Sequence, residues 1–187
     1  MIGLVENVLD SITSRACVDV FASRRLLLRE LPGAPEVVMP ADQNETMVAA
    51  VVGFTGVDMR GSLVMTTTFD VVAQARPAIL SRNSVSTNSW SDWVMVRDWA
   101  GELCNQTLGR IKNSLRTYGV IVEIGLPTVF SGRSISFAKP KSGSARFFTY
   151  EAIGRRLWLC LDATFSGDFM LMNAAEESAK EGDVILF

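Results

Sequence analysis

Asp98, Glu102 and Asn105 stand at intervals of four and three in the run Asp98-Trp-Ala-Gly-Glu102-Leu-Cys-Asn105-Gln-Thr-Leu-Gly109. On a helix turning about 100° per residue, these three and Gly109 share a stripe roughly 60° wide. Val96, Ala100, Leu103, Cys104, Thr107, Ile111 and Leu115 spread over the other side, which predicts a core-facing surface and leaves the polar stripe outward. Two carboxylates and an amide on one helix face form the pattern of a site rather than of a core. As metal ligands, Asp98 and Glu102 alone are too few, so no metal is expected on this chain. Spacing fits two accounts equally: an active surface, or the solvated face of an amphipathic helix. Glycine inside a helix costs about 1 kcal/mol relative to alanine, and close approach by another surface is one reason to keep Gly109.

The chain contains no histidine. That removes Ser-His and Cys-His triads, histidine-ligated zinc and histidine phosphorelay together, leaving carboxylates, amides, hydroxyls and amines to carry any chemistry. No glycine-rich phosphate loop of the Walker type is present. A net charge of −2 without a basic stripe argues against nucleic acid as a partner. No apolar run approaches the ~20 residues of a membrane span and no signal peptide is recognisable, so the cytoplasm is expected. Cys17, Cys104 and Cys160 are odd in number and each lies in an apolar stretch, which reads as buried thiols in a reducing compartment.

The elements that must position the stripe follow from periodicity. Apolar residues recur at helical intervals from Gly3 to Leu31, predicting a long first helix stopped by Pro32-Gly33. Residues 46–54 and 60–66 read as a β-hairpin around Thr55-Gly-Val-Asp58, and Thr67 or Thr68 can cap a short helix kinked or ended by Pro77. Residues 81–91 read as a loop, and 92–117 as the helix carrying the stripe, closed by Gly119. Trp90, Trp93 and Trp99 on its first half fit either packing on a sheet or a partner patch. Residues 120–124, 129–137, 146–150 and 157–165 are strand-like, with Pro127 where a central strand would not tolerate it. The basic loops around Arg133 and at 139–144 fit solvated hairpin turns, or contacts to an acidic partner. Residues 173–180 can form a short helix, and 184–187 an edge strand or docked terminus.

With 48% hydrophobic residues over 187 positions, one domain spanning 1–187 is expected, 173–187 forming a C-terminal extension. The fold class is α+β: an antiparallel sheet of about six strands with long helices on one face. The element order α-β-β-α-α-β-β-β-β suggests approximate duplication.

The motif, its surroundings and this order resemble the CheX branch of the CheC/CheX/FliY chemotaxis phosphatases. The family pattern is Asp or Ser, three residues, Glu, two residues, Asn, then about twenty-two residues to a Pro. Asp98, Glu102 and Asn105 match it, and Pro127 follows Asn105 after twenty-one residues, which reads as a one-residue loop deletion. Residues 125–132 and the Gly53-to-Gly61 hairpin are also similar to family segments, so the resemblance covers roughly 48–165. The first helix holds Glu6-Asn7 but no second Glu-x-x-Asn, as in the single-site CheX arrangement.

The resemblance implies hydrolysis of phosphoaspartate on a CheY-type response-regulator receiver. Asn105 would orient the attacking water, Glu102 would pair with the receiver's lysine, and Asp98 would extend that contact. Gly109 would allow close approach, Mg²⁺ would sit in the receiver rather than on this chain, and subunits would pair through the sheet as homodimers. A non-catalytic receiver-binding adaptor or flagellar-switch-like module is the alternative.

Overall fold

The computed structural model describes residues 2–32, 46–76, 90–133, 135 and 145–166. The expectations for 33–45, 77–89, 136–144 and 167–187, including Pro77, the 139–144 loop and the C-terminal extension, lie outside the described residues.

The order is α1 (Ile2–Ala22), β1 (Arg29–Leu31), β2 (Met47–Gly56), β3 (Met59–Thr68), α2 (Phe69–Gln74), α3 (Trp90–Arg116), β4 (Val122–Ile124), β5 (Thr128–Gly132), β6 (Ala145–Ala152) and β7 (Arg155–Phe165). Seven antiparallel strands form one sheet in the order β1-β6-β7-β3-β2-β4, with β5 also on β2. Exchanging β1, β2 and β3 for β4/β5, β6 and β7 returns the same order, a relation of topology rather than of sequence.

The first helix is shorter than its periodicity suggested. It stops at Ala22, where Ser23 Oγ donates to the Val20 carbonyl at 2.6 Å and Arg25 turns to φ 60°. Leu26 N then donates back to the Phe21 carbonyl, closing the helix end. Leu26 is still buried, so the apolar series continues past the helix by burying a loop residue. Arg29–Leu31 instead adds a seventh strand to the edge of β6, a three-residue segment too short for a period of two to reveal.

Alternation places one face of the sheet against the helices. Val48, Ala50, Val52 and Phe54 on β2, opposite Met65 and Leu63 on β3, join Phe21 and Cys17 of α1 and Leu103, Cys104 and Ile111 of α3 in one buried cluster. On the other face Met47 and Trp158 form a second, smaller cluster with Ile135. The hairpin turns through Val57-Asp58, as the sequence indicates, and Gly61 lies so close to the Asp162 carbonyl of β7 that no side chain fits there. Thr68 precedes α2 without a capping side-chain bond, since β3 runs directly into the helix.

Candidate active site

α3 runs as expected from its sequence. Gly119 follows it at φ 80°, and Val96, Ala100, Leu103, Cys104, Thr107, Ile111 and Leu115 are all at most 3% exposed. The stripe therefore faces away from the core: Asp98 is exposed, and Glu102, Asn105 and Gly109 are half-buried. Trp93 and Trp99 pack against the core, and Trp93 meets Phe69 of α2 edge to face at 4.8 Å between ring centres. Packing, rather than a free indole surface, accounts for both.

Two neighbouring elements flank the stripe. On one side Pro127 rests on the helix at Gly101: a Cβ on Gly101 would lie 3.4 Å from Pro127 Cβ and Cγ and 3.3 Å from Val129 Cγ2. Gly101 is thus the glycine required by close packing within the chain. At Gly109 a Cβ would meet nothing within 4 Å, so no described residue explains that glycine. Pro127 is accommodated because β4 and β5 follow one edge of β2 with a bulge between them. Ile124 pairs with Phe54 and Thr128 with Val51, which leaves three residues opposite two. Gly125 N bonds the Gly53 carbonyl at 2.8 Å, and Leu126 and Pro127 are left exposed. The shortened Asn105–Pro127 interval still delivers the proline to the motif helix.

On the other side stands the end of α1. Arg24 Nη2 donates to Gln106 Oε1 at 3.1 Å, and Gln106 Nε2 donates to Glu102 Oε1 at 2.6 Å. The Arg24 guanidinium also lies 5.1 Å from the centre of the Trp99 ring, within cation–π reach. Glu102 is therefore held from the side, whereas the Asn105 amide has no hydrogen-bond partner among the described residues. Asp98 is 3.5 Å from Arg97 in an exposed pair, a weak tie in water. Asp98 also lines a shallow hollow with Arg76, Ser91, Val94, Met95 and Trp99.

The structure thus sets Asp98, Glu102 and Asn105 on one side of α3 with Pro127 packed beside them, and it adds Gly101, Gln106 and Arg24, which sequence reasoning missed. Gln106 stands four residues after Glu102, a spacing that signals a helical side-chain pair. Arg24 lies 82 residues from Gln106, and only the fold joins them.

Cys17, Cys104 and Cys160 are unpaired. Burial raises all three thiols, Cys104 to about 12 and Cys160 to about 11, so none is a thiolate nucleophile at neutral pH. Cys160 is only partly buried, against the expectation that all three thiols would be enclosed. Glu6 is 2.8 Å from Arg146 of β6, which makes it a tie between α1 and the sheet. Among the described residues no cluster of three or more potential metal ligands occurs. No helix among them is long and apolar enough to cross a membrane.

A family model described as chemotaxis phosphatase CheX matches residues 48–151, a span that runs from β2 into β6 and includes the stripe and Pro127. The chain belongs to the CheX family. Solved structures with the same fold include CheX of Vibrio vulnificus, at 18% identity and a TM-score of 0.67, covering 83% of this chain and 99% of that one. A CheC-like superfamily protein of a Shewanella species is 19% identical, with a TM-score of 0.65, covering 84% and 97%. A CheX–CheY–BeF₃–Mg²⁺ complex of Borrelia burgdorferi gives 14% identity and a TM-score of 0.55, covering 84% and 96%. No curated protein sequence matches. These likenesses cover 83–84% of this chain.

Proposed function

We propose that the protein is a phosphatase for the phosphoaspartate of a CheY-type receiver domain, which it reaches by docking the outer face of α3. The observation that carries this reading is the assembled motif. Glu102 and Asn105 lie on one outward stripe, and Pro127 is packed one residue before Glu102, at Gly101. Membership of the CheX family and the CheX–CheY complex of B. burgdorferi among structures of the same fold support it.

An acyl phosphate is intrinsically labile, so the catalyst need only place water in line with phosphorus. Asn105 suits that role, because its amide offers a carbonyl acceptor and NH₂ donors, remains neutral beside phosphate, and has no partner among the described residues. Glu102 would be repelled by phosphate and instead receives the receiver's lysine, which fixes the helix in register. Asp98 extends that contact, and the open space at Gly109 admits the receiver surface. Magnesium belongs to the receiver's acidic pocket, and a cytoplasmic receiver places the reaction in the cytoplasm.

The test is the lifetime of a Mg²⁺-loaded, phosphorylated receiver from the same organism. The protein should shorten it at substoichiometric amounts. An unchanged lifetime together with measurable binding would replace the phosphatase by the adaptor.

A further inference from the structure

Resting on the receiver-phosphatase reading, we infer that Arg24 and Gln106 form a positioning relay that aims the Glu102 carboxylate at the partner's cation without neutralising it. The three side chains form a chain of two hydrogen bonds, from Arg24 Nη2 to Gln106 Oε1 at 3.1 Å and from Gln106 Nε2 to Glu102 Oε1 at 2.6 Å. The order of the amide atoms is dictated by the charges at its ends. A flipped amide would set oxygen against carboxylate and NH₂ against guanidinium, losing both bonds. Gln106 is therefore locked, and it locks one oxygen of Glu102.

The neutral spacer is the functional point. No ion pair joins Arg24 to Glu102 among the described residues, and an arginine bound directly to that carboxylate would compete with an incoming ammonium group. A glutamine between them transmits orientation while Glu102 keeps its full charge and its second oxygen for the partner. Arg24 is itself held by structure rather than by another acid. It lies in the turn that ends α1, its backbone N–H donates to the Phe21 carbonyl at 2.9 Å, and its guanidinium lies over the Trp99 ring. Its Nε is buried without a partner, so Gln106 and the indole face are what fix the group. The relay thereby ties the first helix to the motif on the third.

Steady-state hydrolysis of the phosphorylated receiver, with the Mg²⁺–fluoroberyllate receiver as a binding probe, separates aiming from mere packing. In Gln106→Leu protein KM and the probe's Kd should rise about tenfold, the worth of one charge-assisted hydrogen bond, with kcat within about twofold. Arg24→Ala should show the same split, and Arg24→Lys, which can still donate to Gln106, should recover part of it. In a Glu102→Ala background, Gln106→Leu should change KM by less than about twofold. A tenfold loss that persists without Glu102, or a loss confined to kcat, would overturn the relay. A wild-type protein that neither binds nor dephosphorylates receivers would remove the functional reading instead. The relay is then decided in the free protein: Arg24→Ala and Glu102→Ala must each move the Gln106 side-chain amide NMR resonances, and unmoved resonances overturn it.

Discussion

At the residue scale, the site divides labour between a held carboxylate and an unheld amide on the same helix. Glu102 is fixed by Gln106, while Asn105, three residues on, has no hydrogen-bond partner among the described residues. The buried thiols make a separate prediction. Burial raises Cys104 from 9.0 to about 12 and Cys160 to about 11, and lifts Cys17 as well. Below pH 9 both folded and unfolded thiols are protonated, and their contribution to stability is intact. Above it the unfolded chain loses protons that the folded chain keeps, so stability should fall as pH rises from 9 toward 12. Urea midpoints measured at pH 8 and pH 10.5 check the sign, and a higher midpoint at pH 10.5 would contradict it. The Asp-Glu-Asn triplet was legible in the sequence because a helical period of 3.6 aligns it. Its support from Arg24 was not, because periodicity carries no information about contacts between distant segments.

At the element scale, α3 is positioned by what grips its two flanks, the end of α1 through Gln106 and the bulged β4–β5 edge through Gly101. Sequence reasoning identified α3 and its core face because six apolar positions and Thr107 share one side. It overran α1, because Leu26 is buried as a helical residue would be, although Ser23 and Arg25 have already turned the chain. The sequence singled out Gly109, for close approach by a partner, and gave no sign of Gly101, which packs within the chain. Gly101 and Gly109 look alike as letters, and only the fold brings Pro127 onto one of them. Gly101→Val should displace Pro127 and Val129 and destabilise the protein by about 1–3 kcal/mol. A chemical denaturation curve tests this, and an unchanged midpoint would show that the proline is not tightly seated.

At the scale of the whole molecule, the helices cover one sheet face and turn the stripe outward, the placement that the proposed docking of a receiver requires. The sheet's strand class, hairpin and helix placement were legible from alternation and turn residues. The three-residue β1 and the bulge at Pro127 were not, since each is set by pairing rather than by local pattern. The edge carrying β4 and β5 exposes Leu126 at 91% and Phe130 at 54%. We propose this edge as the seam of the expected homodimer, since a strand edge with no further strand paired to it among the described residues, carrying exposed apolar side chains, favours pairing with a second copy. Phe130→Lys should shift sedimentation from dimer to monomer, and a wild-type monomer at all concentrations would exclude the seam.

The central claim, that Asn105 supplies the chemistry and the rest of the stripe supplies docking, is tested most directly by single-turnover phosphate release. The measurement uses a Mg²⁺-loaded phosphorylated receiver saturated with wild-type or Asn105→Ala protein. The expected result is release slowed by roughly 100-fold or more in the variant, with the fluoroberyllate receiver bound as tightly as before. Equal release rates at saturation would contradict it.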